Sequence, residues 1–233
     1  MAQTWAFQSA SLVSTGYTVF NQTANLPATY STGSLLILVA VCSAAITTSV
    51  TGYTNVINNS TGTNLAVWYK FATSGSETAP TVAVLNADVS VVMLAYSGIS
   101  AFDASSSIAN QTINGAGSSN CTTNTFTTGF NDDLVLSIYG AYYSSPNTSD
   151  TLYFGTPSGT TSRSLQVGSG GTSSTRICGF LIADEDQATA GTSTARTSSA
   201  SKSGPGTSIT TAQIAIGFKQ TVSSNLSNFF FMF

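Results

Sequence analysis

Few side chains in this 233-residue chain could carry out chemistry. The chain has no histidine, which removes the usual general base, the Ser–His and Cys–His nucleophile pairs and the commonest zinc ligand. Nine carboxylates remain, and a glycosidase needs two of them about 5 to 10 Å apart. The candidates for such a pair are Glu77, Asp88, Asp103, Asp132 and Asp133. A turn accounts for Glu77 and the starts of strands account for Asp88, Asp132 and Asp133, so we expect a protein that is not an enzyme.

Metal and cofactor sites are also not expected. The cluster Asp184-Glu185-Asp186 offers oxygen ligands for a hard cation, but it lacks the spaced pattern of an EF-hand loop. A solvated loop explains it more simply. The three cysteines are widely separated and have no paired metal-type spacing. Because Cys42 and Cys178 lie in apolar runs, we expect buried free thiols.

The composition restricts the partners. Only 6% of the residues are charged and the net charge is −3, whereas about a quarter of residues are charged in an average domain. The six Lys and Arg residues form no cluster, so neither nucleic acid nor an anionic membrane surface is an expected partner. The N-terminus lacks the basic region and apolar core of a signal peptide. Because so few residues are charged, any docking to other proteins should depend little on salt concentration.

Two apolar runs organise the chain. Residues 34–45 read SLLILVAVCSAA, with no charge and no proline. The run is too short to span a membrane, and its β-branched residues favour a strand that is covered on both faces. Residues 131–140, NDDLVLSIYG, repeat the pattern of a polar turn followed by an aliphatic strand. We interpret the two runs as central strands of two related halves.

The remaining pattern predicts an all-β protein with about fourteen short strands. Residues 64–72 and 212–219 alternate between two faces, and no segment has a sustained helical period, although one short helical turn is predicted near residues 184–190. We predict a two-sheet antiparallel β-sandwich, jelly-roll-like, with a pseudo-repeat in which residues 176–183 correspond to residues 89–96. Residues 1–220 form the single domain in this interpretation, and residues 221–233 form a C-terminal arm.

Two groups of side chains are candidates for contacts with other molecules. The arm ends in five apolar residues without alternation, which one strand face cannot bury, and we interpret them as an assembly anchor: Phe229, Phe230, Phe231, Met232 and Phe233. Tyr142 and Tyr143, next to a polar turn, are candidate ligand-facing aromatics, because glycan-binding sandwiches stack rings on sugars. Core packing is the alternative explanation for both tyrosines. Trp68 alternates with core residues and is predicted to be buried.

Several short patterns, in order along the chain, resemble a β-sandwich module of tailed-phage virion proteins. They are Gly33-Ser34-Leu35-Leu36-Ile37-Leu38-Val39, Gly52-Tyr53-Thr54, Trp68-Tyr69-Lys70-Phe71-Ala72, Leu94-Ala95-Tyr96-Ser97-Gly98, Asp133-Leu134-Val135-Leu136, Gly159-Thr160-Thr161-Ser162-Arg163, and Ala183-Asp184 leading to residues 188–191. The first motif of this group usually has Asp after Gly, where this chain has Ser34. The resemblance implies a structural or adhesive virion component without a catalytic centre, made in the host cytoplasm. It carries over no functional site.

Two functions follow from this resemblance. The first is a capsid decoration (cement) protein that docks on the shell, since the chain lacks the coiled coil or collagen-like repeat with which fibres project a tip. The alternative is a receptor- or glycan-binding module of a tail fibre or tail tip. The expected partners are other virion proteins, either the major capsid protein or tail proteins, and further copies of the chain in a homo-oligomer such as a trimer.

Overall fold

The computed structural model describes residues 3–46, 49–59, 63–114, 116–144, 151–169, 176–203 and 208–221. Within these ranges the chain forms eighteen β-strands and no helix, which confirms the predicted all-β class. The helical turn predicted near residues 184–190 is wrong, because a strand continues to Gln187.

The first half of the chain contributes six strands: β1 (Ala6–Ala10), β2 (Ser14–Thr23), β3 (Leu35–Cys42), β4 (Thr54–Asn59), β5 (Asn64–Phe71) and β6 (Thr81–Ser97). The second half contributes the other described strands: β7 (Ile99–Ser105), β8 (Ala109–Ile113), β9 (Gly117–Thr122), β10 (Thr127–Thr128), β11 (Asp133–Ser144), β12 (Thr151–Phe154), β13 (Thr161–Gln166), β14 (Gly168–Ser169), β15 (Arg176–Gln187), β16 (Gly191–Thr192), β17 (Thr197–Lys202) and β18 (Ile209–Gln220).

Two six-stranded antiparallel sheets have the same strand order. In the first sheet β3 pairs with β5 and β6, β4 pairs with β5, and the long β6 pairs with both β1 and β2. In the second sheet β11 pairs with β15 and β18, β13 pairs with β15, and the long β18 pairs with both β7 and β8. Each sheet is built from one half of the chain, and the six strands follow each other in the same sequence order. The predicted pseudo-repeat is therefore present.

The predicted alignment of the two halves was wrong at one strand. β15 occupies the place of β5, between the central strand and an outer strand, whereas β18 is the counterpart of β6. Residues 176–183 therefore do not correspond to residues 89–96. Both flanking strands of a buried central strand are apolar, so composition alone cannot distinguish them, and only the pairing partners do.

The central core lies between the two six-stranded sheets. Every residue of β3 from Leu35 to Cys42 is fully buried, as its unbroken apolar run predicts. Alternate residues of the strand point to opposite sides, so that Leu35 and Ile37 contact the second sheet while Leu36 and Leu38 pack on the outer side. The last strand, β18, alternates as predicted and places its apolar positions in the same central core: Ala212, Ile214, Ile216 and Phe218.

Additional strands of the second half cover the outer face of its own sheet. A four-stranded sheet of order β14-β12-β17-β9 and the short β10–β16 pair are all inserted between strands of the repeat. Leu152 and Phe154 of this outer sheet pack against Tyr139 and Leu181 of the second sheet. The outer face of the first sheet is covered instead mainly by connecting segments that contain Ala24, Ile46 and Val50. Both central strands are thus buried on both faces.

Candidate functional site

Charged side chains gather at one end of the sandwich. A cleft of about 430 Å³ is lined by Gln3, Trp5, Gly159, Thr161, Arg163, Asp184, Glu185, Asp186 and Arg196. The chain has nine acidic and six basic residues, and three of the former and two of the latter line this cleft. This concentration in a protein with 6% charged residues makes the cleft, which we call the charged cleft, the first candidate for a binding site.

Strand β15 positions the three carboxylates. It continues beyond the apolar part of the core, and Asp184 pairs with Leu136 on one side and with Thr161 on the other. Alternation along the strand turns Asp184 toward the first sheet and Glu185 to the opposite face. The prediction that residues 184–186 form a solvated loop is therefore wrong: they belong to a strand, and Asp184 is buried.

Asp184 is held by two donors. Its Oδ2 accepts hydrogen bonds from the Tyr96 hydroxyl at 3.0 Å and from Nε of Arg163 at 2.6 Å. The Arg163 guanidinium also lies 4.6 Å from the centre of the Phe7 ring, a cation–π geometry. Burial raises the pKa of Asp184, and the Arg163 guanidinium opposes that rise. Arg163 is therefore the counter-ion that accompanies a carboxylate taken out of water.

Arg196 makes the second ion pair of the charged cleft. Its Nε donates to Oε1 of Glu185 at 2.8 Å and a second guanidinium nitrogen donates to Oε2, so the contact is bidentate. A third donor of Arg196 reaches the carbonyl oxygen of Ser158 at 3.1 Å. Gly159 has a φ of +80°, and a Cβ atom there would lie 2.9 Å from Arg196. Glycine at this turn thus lets the guanidinium approach the backbone.

The third carboxylate of the cleft is held by an indole. Nε1 of Trp5 donates to Oδ1 of Asp186 at 3.2 Å. Trp5 is itself buried in the central core, so its ring is not available to stack on a ligand. Burial raises the pKa of Asp186, although the Trp5 hydrogen bond opposes this.

The arrangement suits a neutral polar ligand better than an anion. The five charged side chains sum to −1, and both arginines are already paired with carboxylates. What the cleft offers to a ligand is a fixed set of hydrogen-bond donors and acceptors. Sequence reasoning found the carboxylates but missed Arg163 and Arg196. The feature that could have pointed to these two arginines is that basic residues are rare, since the chain holds only six of them.

A second exposed feature lies on the two-stranded ribbon formed by β2 and the first part of β6. Val19 pairs with Ala87 and Asn21 with Ala83, so Phe20 and Leu85 lie between these two pairs. Val19 contacts the cluster behind the first sheet, and alternation turns Phe20 the other way. Phe20 is 63% exposed and Leu85 is 65% exposed. We call these two side chains the ribbon patch.

The structure describes only some of the residues that the sequence predicts to contact other molecules. Phe229, Phe230, Phe231, Met232 and Phe233 lie outside the described residues, as does the rest of the predicted arm from residue 222 onward. Tyr142 is half-buried and packs against the central core, and its backbone amide donates to Oγ1 of Thr63 at 3.4 Å. The side chain of Tyr143 is outside the described part. Trp68 is fully buried, as predicted.

Comparison of the chain with protein-family models, with curated proteins and with solved structures finds no match. Among the described residues, no helix has the length and apolarity needed to cross a membrane. The described part of the chain also contains no group of three or more Asp, Glu, Cys or His side chains that could hold a metal ion.

Proposed function

We propose that this protein is a non-enzymatic structural component of a phage virion, a capsid decoration protein that docks on the shell through apolar contacts. The observation that carries the proposal is the ribbon patch. Phe20 and Leu85, together with Leu12 and Tyr17, are exposed large apolar side chains, whereas the long apolar strand β3 is buried on both faces. Interfaces between virion proteins bury such side chains, and the resemblance to phage modules supports the same class. Other virion proteins and further copies of the chain, as in a trimer, are the proposed partners.

The ribbon patch also fits the composition of the chain. The described ion pairs of the chain join its own side chains, as in Lys70–Glu77 and Arg163–Asp184. Few charges are therefore left to attract or bind a partner. Apolar burial supplies about 1.5 to 3 kcal/mol for each large side chain. A symmetric shell presents many equal sites, so modest affinity at each one is sufficient for full decoration.

A binding experiment with purified virions that lack the protein tests this proposal. Leu85→Ser should weaken binding about 10- to 100-fold, the loss of one buried apolar side chain. Leu165→Ser is the matched control, because Leu165 is an exposed leucine on a different strand, β13. Raising the salt concentration should change neither result greatly. Equal binding by wild type and Leu85→Ser, or no binding by the wild type, would contradict the proposal.

The charged cleft favours a second candidate function, a receptor- or glycan-binding module of the virion tail. Sugar hydroxyls both donate and accept hydrogen bonds, and the cleft provides both kinds of partner at fixed positions. A glycan array tests this function. Binding that is lost in Asp186→Asn would locate the sugar in the charged cleft. Binding that is lost only in Tyr142→Ala would locate it at the tyrosines, and no binding to any glycan would count against this candidate.

A further inference from the structure

A second group of ionisable side chains lies on the outer face of the second sheet, at the same end as the charged cleft, because Asp133 pairs with Gln187 next to Asp186. Leu134 on β11 pairs with Phe218 on β18, and both side chains point into the central core. The next residues in this antiparallel register, Asp133 and Lys219, are therefore cross-strand neighbours on the opposite face. Cβ atoms of such neighbours are about 5 Å apart.

A β-bulge brings a third side chain to the same place. Gly217 pairs with Ala104 and Phe218 pairs with Phe102, so Asp103 is the extra residue of β7. Bulges re-aim side chains in this way. Oδ2 of Asp103 accepts a hydrogen bond from the backbone amide of Gly129 at 2.8 Å.

Asp133 is in an unusual state for a carboxyl group. It is fully buried, and neither of its carboxylate oxygens has a hydrogen-bond donor. Burial and the neighbouring Asp103 carboxyl raise the pKa of Asp133 to about 7, although the nearby Lys219 charge opposes this rise. Because its pKa is about 7, a substantial fraction of Asp133 is protonated near neutral pH. A protonated carboxyl is far more open to nucleophilic attack than a carboxylate.

Lys219 supplies a nucleophile next to this carboxyl. Its Nζ lies 3.8 Å from the centre of the Phe130 ring, and the side chain is half-buried. Four rotatable bonds let the amine move from the ring to its cross-strand neighbour. Phe130 belongs to the segment just before β11 and is 42% exposed.

We propose that Lys219 and Asp133 join in an intramolecular isopeptide bond, with Asp103 as the proton-transfer group. The Asp103 carboxylate takes a proton from the Lys219 ammonium, and the neutral Nζ attacks Cγ of the protonated Asp133. Asp103 then returns its proton to the departing hydroxyl, which leaves as water. The new Cγ–Nζ amide replaces the Cγ–OH bond, and the amide nitrogen releases one further proton to solvent. No oxidant or cofactor is needed.

A metal ion is a weaker explanation for the same cluster. The Lys219 ammonium would repel a cation, and an amide of the Gly129 backbone already occupies one Asp103 oxygen. The covalent bond instead removes the buried carboxyl group of Asp133 and the positive charge of Lys219. It also joins β11 to β18, the last strand before the C-terminal arm, and would resist a pull on that arm. This inference does not depend on the proposed virion function.

The intact mass of the purified full chain, measured after denaturation, tests the proposal. The chain should be lighter than its sequence mass by one water, allowing for loss of the initiator Met, and proteolysis should yield a branched peptide joining Asp133 to Lys219. Asp133→Asn should give a product of the same mass as the wild-type product, because it would lose ammonia instead. A wild-type chain that keeps its full sequence mass after prolonged incubation near neutral pH would overturn the proposal.

Three further variants identify the side chains that take part in the loss of water. Lys219→Arg keeps the positive charge over Phe130 but should have its full sequence mass. Lys70→Arg is the matched control, because Lys70 also lies over an aromatic ring, that of Tyr53, and it should still lose one water. Asp103→Asn should slow or abolish the bond without unfolding the chain, as checked by circular dichroism. Loss of water that persists in Lys219→Arg would refute the assignment.

Discussion

The hydroxyl of Tyr96 donates a 3.0 Å hydrogen bond to Oδ2 of Asp184, and this bond links the two halves of the chain across the central core. Tyr96 lies on β6 of the first sheet, and Asp184 lies on β15 of the second. Both residues are buried. The sandwich is thus held together at this end by a polar contact as well as by apolar packing, and Asp184 of this contact also lines the charged cleft.

Tyr96→Phe should destabilise the protein by about 1 to 3 kcal/mol, because it removes one of the two donors that satisfy a buried carboxylate. Urea unfolding at neutral pH measures this change. Tyr153→Phe is the control, since Tyr153 is 42% exposed on the outer sheet, and it should be within about 0.5 kcal/mol of the wild type. If the two variants were equally stable, the Tyr96 hydrogen bond would add nothing, and Arg163 alone would satisfy the buried Asp184 carboxylate.

Glu77→Gln should lower the stability of the protein at pH 7. It should also make that stability less sensitive to a fall in pH. The Lys70 ammonium and backbone amides of Thr73 and Ser74 bind the Glu77 carboxylate and lower its pKa from 4.5 to about 2. A depressed acid pKa gives stability that is present above pH 4.5 and is lost as the pH falls toward 2, because the unfolded chain binds the proton more readily.

The difference in stability between wild type and Glu77→Gln is the quantity to measure. It should be about 1 to 3 kcal/mol at pH 7 and should shrink as denaturant unfolding is repeated between pH 4.5 and pH 2. A difference that stays constant over this range would contradict the role assigned to the carboxylate charge.

The three cysteines should be free and unreactive in the folded protein. The structure shows Cys42, Cys121 and Cys178 as buried free thiols, which confirms the sequence prediction for the first and third. Burial raises the pKa of Cys42 to about 11 and that of Cys178 well above its usual value, so few thiolates exist at neutral pH. A thiol reagent should react slowly with the native chain, and it should label all three cysteines of the unfolded chain. An intramolecular disulfide in non-reducing mass analysis would be evidence against this.

The fold was predictable where the pattern was local. Strands β3 and β5 could be predicted because apolar runs and alternation need no knowledge of distant partners. The continuity of β6 could not be predicted, because Asn86 and Asp88 resemble a break between two strands. In the structure Asn86 takes a φ of +47° within the strand, and Asp88 is buried inside it rather than preceding a strand.

The charged cleft was only half predictable for a related reason. Asp184, Glu185 and Asp186 are adjacent in sequence and were easy to find, but their charges favoured a loop. The partners that keep them in a strand come from distant parts of the chain: Trp5 is 181 residues away from Asp186 in sequence. Strand pairing and inserted segments bring Arg163 and Arg196 to the same place, and no local pattern carries that information.

Deletion of residues 228–233 should leave a folded, soluble chain that no longer forms oligomers. The described strands end at Gln220 and the core already includes Phe218, so we expect the fold to form without the five terminal apolar residues. Four exposed phenylalanines would make a patch larger than soluble monomers normally carry, which favours their burial in a neighbouring subunit or in the shell. Light scattering reports the oligomer, and a truncated chain that unfolds or assembles as before would refute the anchor.

The most direct test of the proposed function is the copy number of the protein in purified virions, measured by quantitative mass spectrometry. A decoration protein occupies the repeated sites of a symmetric shell, so we expect on the order of hundreds of copies per particle. A handful of copies would favour the tail module instead. Absence of the protein from purified particles would contradict a virion role altogether.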